Sequence, residues 1–425
     1  MQDFPLARKT LPSGLRTLLL PRKDVQSVTF LVLIGVGSRY ETLKQNGLSH
    51  FLEHMFFKGT ETRPTAKQIA EAIDGVGGEF NAFTGEEYTG YYVKVAAEHL
   101  QHGAEVVSDI LLRPLFPQVE IEKERGVIIE EIRMYTDMPM RHIHHLWNEA
   151  LYGDHPLGRR IDGDEATVSK FMRKDFLGYT NKHYHTKNAV VAVAGNFEEK
   201  STQALLKDLF SPLSKGEETT PKAAPRRVPH QRFVHEHRKH LDQSHLMVGV
   251  PGYARDDDRN YAASLLSAIL GNGMSSRLFS VVREQHGLAY MVRTMADHYT
   301  DTGSFVTQAG VRTDKAAQAL ELILAEYDRI QSEPVTEEEL HKAKQMARGG
   351  MVLSLEETNS IAMFAAEQEL LETKMKTPAD LWKKLERVTV QDVQEVAVDL
   401  LDPERRTVAL LSPHKSTKSF EKLLY

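Results

Sequence analysis

The sequence of 425 residues contains no cysteine. Disulfide bonds and thiolate metal ligands are therefore excluded, and the composition fits a reducing compartment. No run of about 18 apolar residues occurs, so no transmembrane helix is predicted. The N-terminal segment MQDFPLARK lacks the apolar core of a signal peptide. From these absences we expect a cytoplasmic protein that makes no membrane contact.

An excess of charge of one sign is also lacking. The 53 basic and 59 acidic side chains leave a formal net charge of -6. Nucleic-acid binding would need a concentrated basic face, so this balance predicts no nucleic-acid partner. With 41% hydrophobic residues, a chain of this length can form two or three packed domains of about 100–200 residues each.

Prolines and small polar residues concentrate in one segment, which reads SPLSKGEETTPKAAPRRVPHQ over Ser211–Gln231. This segment cannot bury enough apolar surface to fold alone. We therefore predict an N-terminal domain over 1–212, a linker over 213–230 and a C-terminal domain over 231–425. Strand-like runs followed by helical patterns recur in both halves. The fold class predicted is α+β, with two similar domains.

The segment GLSHFLEHMFFKGT contains a candidate metal motif. On a helix, His50 and His54 lie one turn apart, and Glu53 falls with them inside an arc of about 100°. Two imidazoles at this spacing form half of a tetrahedral zinc site, and a neighbouring carboxylate can take a proton from a metal-activated water. The order H-x-x-E-H is a known catalytic signature. An amphipathic helix with incidental histidines would also contain it.

A third ligand is expected from the helical pattern over 117–136. Glu124 and Glu131 lie seven residues apart, within about 20° of each other on a helix, and both border a stripe of isoleucines. Carboxylates beside a buried face are costly unless they are paired or bound to metal. The spacing alone leaves two interpretations open, a metal centre or ordinary salt bridges at the rim of the helix.

These segments together resemble the pitrilysin-type metallopeptidases, in particular the short-subunit branch of mitochondrial processing peptidase and its bacterial relatives. The resemblance covers essentially the whole chain. It implies two domains with the α/β-roll fold of that family, each a mixed or antiparallel sheet flanked by helices. It further implies that His50, His54 and Glu131 bind one zinc ion per subunit, that Glu53 is the general base and that Glu124 orients the site. The same donors also accept manganese or cobalt.

A short strand-like segment, FNAFT at Phe80–Thr84, also matches the family. Family members bind the substrate backbone along this strand edge by strand addition. The resemblance therefore implies that Asn81, Ala82 and Phe83 contact the peptide. Without the resemblance, an ordinary strand with a solvent-facing asparagine would explain the segment.

A segment of the second half, LGNGMSSRLFSVVREQHGLAY, places Arg283 and Tyr290 at the R-x6-Y spacing of the family. The resemblance implies that these two side chains bind a substrate carbonyl and stabilise its developing oxyanion. Ser275 or Ser276 is predicted to cap the helix that follows the glycine loop. Read alone, an arginine and a tyrosine at this spacing would be an ordinary surface pair.

The function implied by the resemblance is that of a zinc-dependent metalloendopeptidase hydrolysing unfolded peptides in a chamber formed by two subunits. The metal motif and the arginine–tyrosine pair occur in one chain of about half the length of the long family members. We therefore expect a homodimer with two active sites, and a heterodimer with a related subunit is the alternative. Two other functions stay open, a non-catalytic structural or partner subunit of a heterodimeric processing peptidase, and a zinc hydrolase of a non-peptide bond.

Overall fold

The computed structural model describes residues 4–217, 220–221, 223–224 and 229–424. The strands are β1 (Ala7–Thr10), β2 (Arg16–Pro21), β3 (Ser27–Ile34), β4 (Glu79–Thr84), β5 (Thr89–Ala96), β6 (Ala189–Gly195), β7 (Phe233–His237), β8 (Gln243–Gly252), β9 (Ala289–His298), β10 (Gly303–Arg312) and β11 (Thr407–Ser412).

The α-helices are α1 (Leu48–Phe56), α2 (Ala66–Asp74), α3 (Leu100–Leu112), α4 (Gln118–Asp137), α5 (Pro139–Tyr152), α6 (Glu165–Val168), α7 (Arg173–His183), α8 (Glu199–Leu209), α9 (Asn260–Gly271), α10 (Ala316–Ser332), α11 (Glu337–Ser354), α12 (Thr358–Leu371), α13 (Pro378–Arg387), α14 (Val390–Leu400) and α15 (Lys418–Glu421). Over the described residues, none of these helices combines the length and the apolar character needed to cross a membrane.

The strands form two mixed sheets with the same connectivity. The first has the order β1-β2-β6-β3-β5-β4 and the second the order β7-β11-β8-β10-β9. Strand β2 is parallel to β6 and β7 is parallel to β11, whereas the other neighbours are antiparallel. If β1 is left out, the strands β2 to β6 of the first sheet correspond in chain order to the strands β7 to β11 of the second. With this correspondence the two sheets have the same strand order. The predicted pair of similar α+β domains is confirmed.

The first compact unit comprises Met1–Arg133, Arg160–Lys222 and Val352–Thr377. Its sheet is buried on both faces, since successive residues of a strand point to opposite sides. One face packs against α1 and α3, and the other packs against α12. This double burial explains the uninterrupted apolar run AVVAVAG of β6, in which every residue is buried.

The second compact unit comprises Met134–Arg159, Ala223–Met351 and Pro378–Tyr425. One face of its sheet packs against α9, α10 and α14. The other face packs against α5, where Ile143 and Trp147 are buried with Met247 of β8 and Ala409 of β11. Each sheet is therefore covered by helices on both faces. Such covering is required because the strands carry apolar side chains on both faces of the sheet.

Two helices pack in a different unit from the one that a cut at 213–230 assigns to them. Helix α5 precedes that segment but belongs to the second unit, and α12 follows it but belongs to the first. Helix α12 presents alanines to the sheet and is attached at its end by Glu369, whose carboxylate lies 2.6 Å from Arg8 Nε. A covering helix can come from any part of the chain, because the apolar face selects a matching surface and not a sequence neighbour.

The assignment of α12 to the first unit can be tested at Ile361, whose side chain is fully buried in this unit. Replacing Ile361 by alanine should destabilise the unit by about 2–5 kcal/mol, because it removes apolar contacts and leaves a cavity. Faster hydrogen exchange in β3 and β6, measured by mass spectrometry, is the expected result. Leu353→Ala, at a side chain that is 68% exposed, is the control and should leave these strands protected. Unchanged exchange in Ile361→Ala would contradict the assignment.

Candidate metal centre and active site

The H-x-x-E-H motif lies on α1, whose apolar side is fully buried. Phe51, Leu52, Met55 and Phe56 have no exposed surface, and they anchor the helix in the core of the first unit. The rings of His50 and His54 lie on the remaining side with centroids 4.7 Å apart. The predicted helical placement of both histidines is therefore what the structure shows.

Helix α4 brings Glu131 to these two rings. The Oε2 atom of Glu131 lies 3.7 Å from Nε2 of His50 and 3.6 Å from Nε2 of His54. Among the described residues, these three side chains form the one group of at least three histidine or carboxylate donors whose ligand atoms all lie within 4.8 Å. Tetrahedral zinc with bonds of about 2.0–2.1 Å separates its ligand atoms by about 3.3 Å. The donor set fits zinc after a small contraction.

Glu124 lies behind the donors and not among them. Its Oε1 accepts a hydrogen bond of 2.9 Å from Nδ1 of His54, and its Oε2 lies 2.6 Å from Nζ of Lys58. With the proton on Nδ1, the Nε2 atom of His54 keeps its lone pair toward Glu131. A carboxylate on the distal nitrogen orients a metal-binding imidazole and raises its basicity. The predicted orienting position of Glu124 corresponds to this contact.

Electrostatics differ between the two histidines. Burial, reinforced by the neighbouring His54, lowers the pKa of His50 to about 4. A neutral imidazole is the form that binds metal. Burial also disfavours charge on His54, but the hydrogen bond to Glu124 and the nearby carboxylates outweigh it and raise the pKa of His54. The excess negative charge around His54 is the environment that a divalent cation neutralises.

Glu53 lies one residue before His54 and makes a separate contact. Its Oε2 accepts a hydrogen bond of 2.5 Å from the hydroxyl of Thr84, the last residue of β4. Burial raises the pKa of the Glu53 carboxyl, and the bond from Thr84 opposes that rise. Inspection of the sequence did not single out Thr84, because its partner lies 31 residues away on another element and no spacing rule connects them.

The start of α1 depends on a residue that sequence reasoning missed. Gly47 has a φ of +92°, which glycine adopts without steric cost, and it has no side chain to cap the helix. The buried Glu41 replaces that cap, since its carboxylate accepts bonds from the N–H groups of Gly47 at 2.9 Å and Ser49 at 2.6 Å. Burial raises the pKa of Glu41 to about 7, whereas these donors favour the charged form. Glu41 therefore sets where α1 begins, just before His50.

The predicted substrate strand is β4, an edge strand of the first sheet whose one partner among the described strands is β5. Asn81 is exposed, and its side-chain oxygen accepts a bond of 2.9 Å from the N–H of Ala82. This backbone donor is therefore engaged within the chain. The ring of Phe83 packs over Gly90 and beside Tyr88, so it contributes to the interior of the unit.

Arg283 and Tyr290 lie in the second unit and contact each other. The guanidinium of Arg283 donates a bond of 2.8 Å to the backbone oxygen of Tyr290 and lies 5.1 Å from the centre of its ring. The side chain of Tyr290 is 76% exposed. Arg283 belongs to a π-helical segment, Phe279–Gln285, and π-helical turns occur frequently at functional sites.

The segment before this pair differs from its prediction. The hydroxyl of Ser276 donates to the backbone oxygen of Gly273 at 2.8 Å and does not cap the following helix. The segment is held instead by Arg277, whose guanidinium makes two bonds of 2.7 and 2.9 Å to the carboxylate of Glu339 on α11. This bidentate pair lowers the pKa of Glu339 to about 2. Ser276 directly precedes the helical residues 277–278, and its backbone oxygen accepts a bond of 3.0 Å from the N–H of Ser280, but its hydroxyl bonds to the loop and does not form the predicted cap.

Two models of known protein families match the chain. The family model described as Insulinase (Peptidase family M16) matches residues 17–165, and the one described as Peptidase M16 inactive domain matches residues 170–347. The chain belongs to peptidase family M16. The predicted membership of the pitrilysin-type metallopeptidases is confirmed. The histidine donors lie inside the first match, and Arg283 and Tyr290 lie inside the second.

Relatives of this M16 chain are named as zinc proteases. It is 37% identical over 411 residues to the uncharacterized zinc protease YmxG of Bacillus subtilis, a match that covers 96% of this chain and 98% of the relative. It is 35% identical over 421 residues to an uncharacterized zinc protease of Mycobacterium leprae, with 99% and 94% covered. The names imply zinc as the metal of these relatives and agree with the donor set found here.

Solved structures share the fold of this M16 chain. A protease from Helicobacter pylori superposes with a TM-score of 0.91 at 24% identity, covering 97% of this chain and all of the other. A protein from Pseudomonas fluorescens described as a peptidase M16 inactive domain gives a TM-score of 0.90 at 19% identity, covering 97% and 99%. At these identities the likeness establishes the fold.

The contact between Glu124 and His54 generates a prediction on metal affinity. Glu124→Gln should weaken zinc binding by about 10- to 100-fold, because His54 loses the charged acceptor that orients its ring. Competition with a chelator of known affinity measures the change. Glu122→Gln on the same helix is the control, since Glu122 is exposed and pairs with Arg125, and it should bind zinc as the wild type does. Equal affinities in both variants would contradict the orienting role.

Proposed function

We propose that this M16 chain is a zinc-dependent endopeptidase that hydrolyses unfolded peptides, with one zinc ion bound per subunit by His50, His54 and Glu131. The observation that carries the proposal is the convergence of these three donors beside a half-buried carboxylate, Glu53, which directly precedes His54 on the same helix. The zinc protease names of relatives that match almost the whole chain support it.

The chemistry follows from the positions of these side chains. Zinc, when bound, supplies a Lewis acid that polarises the scissile carbonyl and lowers the pKa of the attacking water. Glu53 accepts the proton of that water and returns it to the leaving nitrogen. Its burial raises the pKa of the carboxyl, which suits a group that must both take and release a proton. Glu124 keeps the proton on Nδ1 of His54 throughout.

Substrate binding is assigned to β4 and to the arginine–tyrosine pair. As an edge strand, β4 has one side free of strand partners within the first sheet, so an extended peptide can add to it. Asn81, Ala82 and Phe83 are the strand residues proposed for this role. Arg283 binds a flanking carbonyl, and the exposed Tyr290 donates its phenol to the carbonyl oxygen that becomes negative.

We further propose that two copies of the chain form a homodimer, in which the Arg283–Tyr290 pair of one copy serves the metal centre of the other. The resemblance to long family members, in which the corresponding features lie in opposite halves, supports this arrangement. A symmetric dimer with two equal sites is the simplest closed assembly of that kind. A heterodimer with a related subunit is the competing arrangement.

The peptidase assignment is tested by Glu53→Gln. This variant should bind zinc as the wild type does and lose at least about 10³-fold in kcat, because the attacking water loses its base. Cleavage of a quenched fluorescent peptide library and metal analysis are the two measurements. Glu130→Gln, at an exposed carboxylate on α4, is the control and should stay active. Removal of zinc by a chelator should abolish activity, and its return should restore it.

Two results would contradict the peptidase assignment. A wild-type protein that binds zinc and cleaves no peptide would instead favour the role of a non-catalytic partner subunit of a heterodimeric processing peptidase. Full peptidase activity in Glu53→Gln would remove Glu53 from the mechanism.

The dimer assignment is tested by mixed dimers purified through two different tags. A dimer of one Glu53→Gln chain and one Arg283→Ala chain should retain about half of the wild-type activity, since one of the two sites of a symmetric dimer is then intact. The reciprocal pair combines a wild-type chain with a chain carrying both substitutions, and it should be inactive. If each chain instead supplies all the residues of its own active site, the results are reversed. The first dimer is then inactive, and the dimer that contains one wild-type chain retains about half of the activity.

A further inference from the structure

The carboxylate of Glu53 has a single hydrogen-bond partner among the described residues. That partner is the hydroxyl of Thr84, at 2.5 Å from Oε2. Thr84 ends β4, the edge strand, whereas Glu53 lies on α1. The bond therefore joins the proposed general base to the strand proposed to pair with the substrate.

The end of β4 is held in place by the turn that follows it. Thr84 pairs with Thr89 across the hairpin, and the N–H of Gly85 donates to the oxygen of Tyr88 at 2.9 Å. The loop after β3 lies directly against this turn. A Cβ atom on Gly37 would meet the oxygen of Gly85 at 2.2 Å, so only glycine permits this approach.

A buried ion pair fixes the two loops to each other. Nη1 of Arg39 lies 2.6 Å from the carboxylate of Glu87, and their side chains are 0% and 3% exposed. The N–H of Arg39 also donates to the oxygen of Glu86 at 2.9 Å. Removing one partner of a buried pair leaves the other charge unpaired at high cost. These contacts hold the backbone of the turn in place. The backbone of Thr84, which leads into the turn, is held with it.

We propose that Thr84 is a positioning residue, which sets the orientation of the Glu53 carboxylate relative to a peptide bound along β4. This inference rests on the proposed peptidase function, in which Glu53 is the base. A carboxylate has two oxygens, and the hydroxyl of Thr84 holds Oε2. The plane of the group is then fixed and Oε1 is left for proton transfer. The strand that places the peptide also places the base, so the two are in register.

A threonine that only stabilises the hairpin would form the same hydrogen bond, so a second hydroxyl is needed to separate the two roles. Thr89, directly opposite Thr84, provides the comparison, since its buried hydroxyl donates to the oxygen of Val36 at 2.8 Å. It is a hydroxyl of the same hairpin end that makes no contact with Glu53. If the two hydroxyls served only to stabilise the hairpin, the loss of either one would lower Tm and neither loss would lower kcat selectively.

The experiment compares Thr84→Val, Thr84→Ser and Thr89→Val in the full-length zinc-loaded protein. Thr84→Val should lower kcat for a fluorescent peptide by about 10- to 100-fold, the effect of losing a hydrogen bond to a charged group. Its KM, zinc content and Tm should stay close to those of the wild type. Thr84→Ser restores the hydroxyl and should recover kcat. Thr89→Val should lower Tm and leave kcat unchanged.

A wild-type kcat in Thr84→Val would overturn the inference, and so would a loss of kcat that Thr84→Ser does not recover. Crystal structures of the two Thr84 variants test the contact without any assay. The carboxylate of Glu53 should leave its wild-type position in Thr84→Val and keep it in Thr84→Ser, and an unmoved carboxylate in both would also overturn the inference. If the wild type cleaves no peptide but the carboxylate moves as expected, the proposed function fails while the positioning contact stands.

Discussion

The burial of one side of α1 is the constraint on which the metal centre depends. Four large side chains of this helix have no exposed surface, so the helix has one orientation about its axis. That orientation directs His50 and His54 toward Glu131 on α4. Because protein interiors are close-packed and tolerate little displacement, the packing of α1 fixes where the two imidazole rings lie. The packing of the apolar side of α1 thus positions the side chains of the metal centre.

Polar contacts around α1 then orient the side chains of the site that the packing of this helix has positioned. Glu41 determines where α1 begins, Glu124 determines which nitrogen of His54 carries the proton, and Thr84 holds one oxygen of Glu53. Each contact joins α1 to a different element, namely the preceding loop, α4 and β4. Donors placed by several independent elements are more precisely held than donors on one loop.

The two halves share a fold and differ in chemistry. The second sheet repeats the connectivity of the first, yet among the described residues a metal-binding cluster is present only in the first unit. The second unit carries Arg283 within a π-helical segment and Tyr290 near the start of β9. The shared connectivity therefore provides two scaffolds that carry different side chains.

The sequence by itself determined the parts that depend on local periodicity. The spacing of His50, Glu53 and His54 and the seven-residue step from Glu124 to Glu131 were sufficient to identify candidate donors, because a helix repeats every 3.6 residues. Whether those helices meet was decided only by the tertiary structure, as were the exchange of α5 and α12 between the units and the contacts of Glu41 and Thr84. Such contacts join residues far apart in the chain through the packing of apolar faces, and a local pattern contains no information about which surface a face will meet.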